Sequence, residues 1–132
     1  MQSLETIFII DDDTIQLKIA TKMIERVIIP TPKIIPFAEA GTALSFLQQH
    51  SKETALLPDI ILLDLNMPEM SGWSFLENFE KIESSLSKEI RIYILSSSQD
   101  DKDIERSKNH LSVNSYLVKP LTRDKILTLL KH

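Results

Sequence analysis

The 132-residue sequence contains no cysteine, so neither disulfides nor thiol chemistry hold or run this protein. It has no excess of positive charge: 15 Lys and Arg against 19 Asp and Glu leave a net charge of −4. That balance speaks against nucleic acid or an anionic membrane surface as the main partner. No apolar run approaches the roughly 18 residues needed to span a bilayer. The N-terminus, Met1-Gln2-Ser3-Leu4-Glu5, lacks the basic stretch and long apolar stretch of a signal peptide, so a cytoplasmic setting is expected. There are only two glycines, and no internal repeat, low-complexity stretch or linker divides the chain. A single domain over residues 1–132 is expected, long enough to bury roughly 70% of the surface its unfolded chain would expose. A hydrophobic content of 42% suits a compact fold and argues against disorder.

What the chain does have is alternation around one central stretch, Asp59-Ile60-Ile61-Leu62-Leu63-Asp64-Leu65-Asn66-Met67-Pro68. Four consecutive aliphatic residues read as a strand covered on both faces. Pro68 ends the pairing and pushes Met67 towards an extended conformation, so Asp64 lies at the C-terminal tip of a buried strand. Open α/β sheets place their ligands at that rim. A carboxylate there costs desolvation unless something compensates it.

In order, Thr6 to Ile10 is a β-branched run ending in Asp11-Asp12-Asp13. Ile15, Ile19, Met23, Ile24 and Val27 recur at helical spacing, with Asp13 as N-cap and Gln16 completing a capping box. Pro30 and Pro32 end that helix. Ile34 to Phe37 is a second strand, and its Pro36 marks an edge. Ala40, Ala43, Leu44 and Leu47 define a second helix, and Ser51 to Pro58 a loop. Ser71 caps a third helix carrying Trp73, Leu76, Phe79 and Ile82. Ile90 to Leu95 is a fourth strand ending in Ser96-Ser97-Ser98. Gln99 to His110 is a weakly held fourth helix anchored by Ile104. Val113 to Val118 is a fifth strand followed by Lys119-Pro120, and Leu121 to Lys131 a closing helix with Ile126, Leu129 and Leu130. Five strands alternating with five helices imply βαβ units and a parallel sheet with helices on both faces.

The strand tips then collect Asp11 and Asp12, Asp64, Ser96 and Lys119 on one rim. Three crowded carboxylates repel one another, and an oxygen-seeking cation such as Mg²⁺ relieves that repulsion. One carboxylate can serve as a nucleophile towards phosphorus. Ser96 and Lys119 can offer a hydrogen bond and a positive charge to phosphoryl oxygens.

Four motifs in order carry a resemblance: Ile9-Ile10-Asp11-Asp12-Asp13, Leu63-Asp64-Leu65-Asn66-Met67-Pro68 with Ser71-Gly72, Leu95-Ser96-Ser97, and Tyr116-Leu117-Val118-Lys119-Pro120. The chain resembles the receiver domain of two-component response regulators from Thr6 to Leu130, in the stand-alone form of the chemotaxis regulator. The resemblance implies a flavodoxin-like, doubly wound sheet of strand order 2-1-3-4-5. It implies Asp64 as phosphoacceptor, Asp12 as a direct Mg²⁺ ligand, Asp11 mainly as a ligand through water, and Asn66 as a ligand through its backbone carbonyl. Ser96 and Lys119 would hold the phosphoryl group, Tyr116 with Ser96 would form the switch, and the Lys119–Pro120 bond would be cis. Ser96 stands where the family more often has Thr, and Ser115 where it often has Gly.

Each residue also has a plainer reading. Asp13 is a cap, Trp73 and the methionines are packing, the side chain of Asn66 is turn chemistry, and Tyr116 can be an ordinary half-buried strand tyrosine. Two other function classes compete. An aspartate-nucleophile phosphohydrolase would need Thr or Val where Ile15 stands, and the chain has no room for a cap. A pseudo-receiver that binds partners without phosphorylation is disfavoured by the intact acids, hydroxyl and lysine. The expected function is therefore a non-enzymatic signalling switch. It would take a phosphoryl group from a sensor histidine kinase or phosphotransfer protein. Output would pass through the fourth helix, fifth strand and fifth helix to a downstream protein, with a second copy of the chain as one candidate.

Overall fold

The computed structural model describes residues 4–131. Five strands, β1 (Thr6–Ile10), β2 (Lys33–Phe37), β3 (Ile60–Leu63), β4 (Arg91–Ser96) and β5 (Val113–Val118), alternate with five helices. The helices are α1 (Thr14–Val27), α2 (Ala40–Gln49), α3 (Gly72–Ile82), α4 (Asp101–Ser107) and α5 (Arg123–Leu130). All strand pairs are parallel, in the order β2-β1-β3-β4-β5. The expected flavodoxin-like architecture is therefore present. Pro36 lies in the edge strand β2, where a missing N–H can face outward without breaking a ladder.

The aliphatic run of β3 is fully buried because the sheet is covered on both faces. Phe8, Ile10, Ile61, Leu63, Ile92 and Ile94 point to one side and pack with α2 and α3. Ile7, Ile9, Ile60, Leu62, Tyr93 and Leu95 point to the other, against α1 and α5. The period-2 alternation of the strands thus feeds two separate cores. Asp59 locks the opposite end of the sheet. Its carboxylate accepts the amides of Glu5 (2.7 Å) and Thr6 (3.0 Å) and pairs with Lys88 at 2.8 Å. Burial alone would raise its pKa, but Lys88 and the two amides together hold it below the usual carboxylate value.

The helix faces differ from the expectation in places. Ile15 and Ile19 of α1 are 67% and 42% exposed, and the core face is Leu17, Ala20 and Ile24. Both sets have helical spacing, so periodicity alone could not choose between them. Asp13 caps α1 through Ile15 and Gln16 amides, but its own N–H goes to Asp11 Oδ1 at 2.9 Å, so the reciprocal half of the capping box is not made. Ile104 is only half-buried, Ser107 is the one buried residue of α4, and Leu130 is exposed. The fourth helix is shorter than its polar segment, and β4 runs one residue later than expected.

Candidate functional site

The functional rim begins with β1 and β3. Their parallel register pairs Ile10 with Leu63, so the residues that follow, Asp11 and Asp64, emerge side by side. Asp11 and Asp64 are buried, Asp12 is exposed, and one carboxylate oxygen from each lies within 4.8 Å of the others. Gly72 lets the start of α3 pack against the backbone that carries Asp64. A Cβ there would sit 2.5 Å from the Asp64 carbonyl oxygen and 2.9 Å from the Leu65 Cα. Its N–H instead donates to the Leu65 carbonyl at 2.9 Å, and Ser71 Oγ accepts the Ser74 amide to start α3.

Lys119 enters from the end of β5. Its Nζ donates to Asp11 Oδ2 at 2.7 Å and lies 3.7 Å from Asp64 Oδ1. The Lys119 amide donates to the Ser96 carbonyl at 2.8 Å, and the Lys119–Pro120 bond is cis. A second cis bond, Ile29–Pro30, lies outside the site. Burial and the neighbouring charge of Asp11 push the Asp64 pKa up from 3.8 to about 6, against the opposing pull of Lys119 and of the Asn66 and Leu65 amides. One ammonium shared between two buried carboxylates leaves the rim short of positive charge.

The donor set fits a hard divalent cation. It is all oxygen, carries more negative than positive charge, and includes the exposed carboxylate of Asp12 as an entry point. The side chain of Asn66 is exposed, and its backbone amide lies against the Asp64 carboxylate. Ser96 is fully buried at the tip of β4, where its Oγ accepts the Ser98 amide at 3.1 Å. Tyr116 donates its hydroxyl to the Ser98 carbonyl at 2.9 Å, and Ser98 Oγ donates to Asp103 Oδ2 at 2.7 Å. Ser98 thus joins Ser96, Tyr116 and the start of α4. Its side chain has no sequence signature beyond the run of three serines, and that run does not reveal which serine is the hub.

The profile of the response regulator receiver domain matches residues 7–131. The chain belongs to that family. It is 31% identical over 117 residues to the probable methanogenesis regulatory protein FilR2 of Methanothrix harundinacea, covering 88% of this chain and 72% of that protein. It is 28% identical to response regulator Rcp1 of Synechocystis, covering 87% and 76% respectively. Among solved structures, a two-component response regulator from Cytophaga hutchinsonii matches with a TM-score of 0.85 at 26% identity, over 98% of this chain and 96% of that one. The Mn²⁺-bound form of Rcp1 shares the fold at a TM-score of 0.74 and 24% identity, over 95% and 88%. Receiver domains are signalling modules, and the acidic cluster of this receiver lies at the switch between β1 and β3, the usual ligand position of such sheets. Among the described residues, no helix is long and apolar enough to cross a membrane.

Proposed function

We propose that this receiver is a phosphorylation-dependent switch with Asp64 as the phosphoacceptor, supplied by a sensor histidine kinase or a phosphotransfer protein. The observation that carries the reading is the meeting of Asp11, Asp12 and Asp64 within 4.8 Å, with Lys119 Nζ beside two of them. An Asp64 oxygen attacks phosphorus and the bond to the donor's imidazole nitrogen breaks, so the acid becomes an acyl phosphate. Mg²⁺, held by Asp11, Asp12, Asp64 and the Asn66 carbonyl, would supply charge neutralisation at the phosphoryl oxygens. Lys119 loosens its closer tie to Asp11 and reaches the incoming phosphoryl group, while the Ser96 hydroxyl turns from the Ser98 amide to donate to it.

The free protein samples two arrangements, and the phosphoryl group favours the one in which Ser96 faces it. Ser98 then loses one of its ties, and Tyr116 and the start of α4 move with it. The face formed by α4, β5 and α5 carries that change to a downstream protein, or to a second copy of this chain. Incubation with a small acyl phosphodonor and Mg²⁺, followed by peptide mapping, should place one phosphoryl group on Asp64. A label at another residue, or persistent labelling of Asp64→Asn, contradicts the assignment.

A further inference from the structure

Lys125, in the first turn of α5, makes contacts that the phosphoryl-transfer reading leaves unused. Its amide is taken by the N-cap, donating to Thr122 Oγ1 at 3.3 Å. Its ammonium folds back over the β5–α5 connection and donates to the carbonyls of Val118 and Pro120, the latter at 3.2 Å. Those two carbonyls flank Lys119 in the chain. The Lys119 amide is itself tied to the Ser96 carbonyl at 2.8 Å. The backbone around Lys119 is therefore held at three points, two of them by a single side chain.

No carboxylate lies within ion-pair distance of Lys125 among the described residues, whereas the rim has carboxylates in excess. Its charge is committed to backbone oxygens rather than to an acid. Val118 ends an edge strand, so its carbonyl has no sheet partner beyond it to fix it. Ile126, the next residue, is fully buried and anchors the base of the Lys125 stem. An ammonium on a well-seated stem can thus hold a segment that the sheet itself holds poorly.

We infer that Lys125 is a positioning residue for Lys119: by clamping the carbonyls on either side, it holds the ammonium of Lys119 between Asp11 and Asp64. The inference rests on the phosphoacceptor reading for its kinetic consequence and on the local contacts for its structural one. Lys125 touches no reacting atom. Its effect reaches the reaction only through the place of the Lys119 amine.

The test compares the intact chain with Lys125→Met, which keeps the stem and loses the donors, and with Lys125→Arg, which keeps donors and charge. Labelling by a small acyl phosphodonor should slow roughly tenfold in Lys125→Met, the scale expected when a catalytic group is displaced by a fraction of an ångström to an ångström. Mg²⁺ affinity should stay unchanged, and Lys125→Arg should recover most of the rate. Amide hydrogen exchange at Lys119 should accelerate in Lys125→Met and not in Lys125→Arg. If Lys125→Met labels at the wild-type rate well below its melting temperature, the positioning role is wrong and the contact only stabilises α5. If its slower labelling follows weaker Mg²⁺ binding, the role is equally wrong. Wild-type protein that takes no label on Asp64 would overturn the phosphoacceptor reading instead. The exchange arm would still decide whether Lys125 holds the Lys119 backbone.

Discussion

At the scale of single residues, Asp64 carries an energetic cost that the rest of the site only partly offsets. Its pKa of about 6 means that the folded protein keeps a proton, between pH 4 and 6, that the unfolded chain has already lost. Metal-free stability should therefore fall as pH rises through that window, by up to about 3 kcal/mol. Asp64→Asn should remove this dependence and raise the melting temperature at pH 7 in chelator. A variant that melts below wild type there would show that the carboxylate contributes more than it costs. Asp12 and Asp13 divide otherwise. Asp13→Ala should cost about 1 kcal/mol of stability, since it removes the cap on the Ile15 and Gln16 amides, and leave Mg²⁺ affinity intact. Asp12→Ala should weaken Mg²⁺ binding with little effect on stability. Titrations and melts of both variants check the division, and equal losses of Mg²⁺ affinity would refute it. The rim acids were legible in the sequence because each follows an apolar strand. The tie between Lys119 and Asp11 was not, since strand-tip positions put both on one rim but do not say which acid the ammonium meets.

At the scale of elements, α4 is, among the five α-helices of the described residues, the one with no fully buried apolar side chain, Ile104 being half-buried. Its neighbours bury between two and four residues each, almost all apolar. What holds it is polar and aromatic. The Arg106 guanidinium lies 4.4 Å from the centre of the Trp73 ring on α3, and His110 stacks on the same ring at 5.8 Å. Glu80 of α3 accepts from Ser112 Oγ at 2.8 Å and pairs with His110 at 3.0 Å. A cation–π contact of this kind is worth about 0.5–2 kcal/mol, comparable with burying one aliphatic side chain. Arg106→Ala should therefore speed amide exchange in α4 while leaving α2 unchanged, and should change the fluorescence of Trp73, the only tryptophan. Unaltered exchange would mean that the helix is held elsewhere. The polar composition of residues 99–110 already pointed to a helix with few apolar anchors. Its dependence on Trp73 could not be read, because an aromatic at helical spacing signals a core position before it signals a partner for arginine. The outward turn of Ile15 and Ile19 was hidden for a similar reason, with two sets of residues on α1 competing for one core face.

At the scale of the whole molecule, the strand order followed from the resemblance to receiver domains, while the parallel sheet and the position of the rim followed from alternation and from the carboxylates at strand tips. These depend on local pattern and on the handedness of βαβ units rather than on side-chain detail. The path from the rim to the surface depends on such detail. It runs from Ser96 through Ser98 to Tyr116 and the start of α4, by contacts of 3.1, 2.9 and 2.7 Å. These contacts cross from β4 to β5 and α4 and stay clear of α1 and α2. Elements of low local stability are those that move when such a contact changes. The most direct measurement is amide hydrogen exchange of the full chain in Mg²⁺, with and without beryllofluoride as a phosphoryl mimic on Asp64. Protection should change chiefly from Ser97 to Leu121 while α1 and α2 remain as they were. A principal change on α1, or none in α4 and β5, would contradict a switch that passes from Asp64 through Ser96 and Ser98.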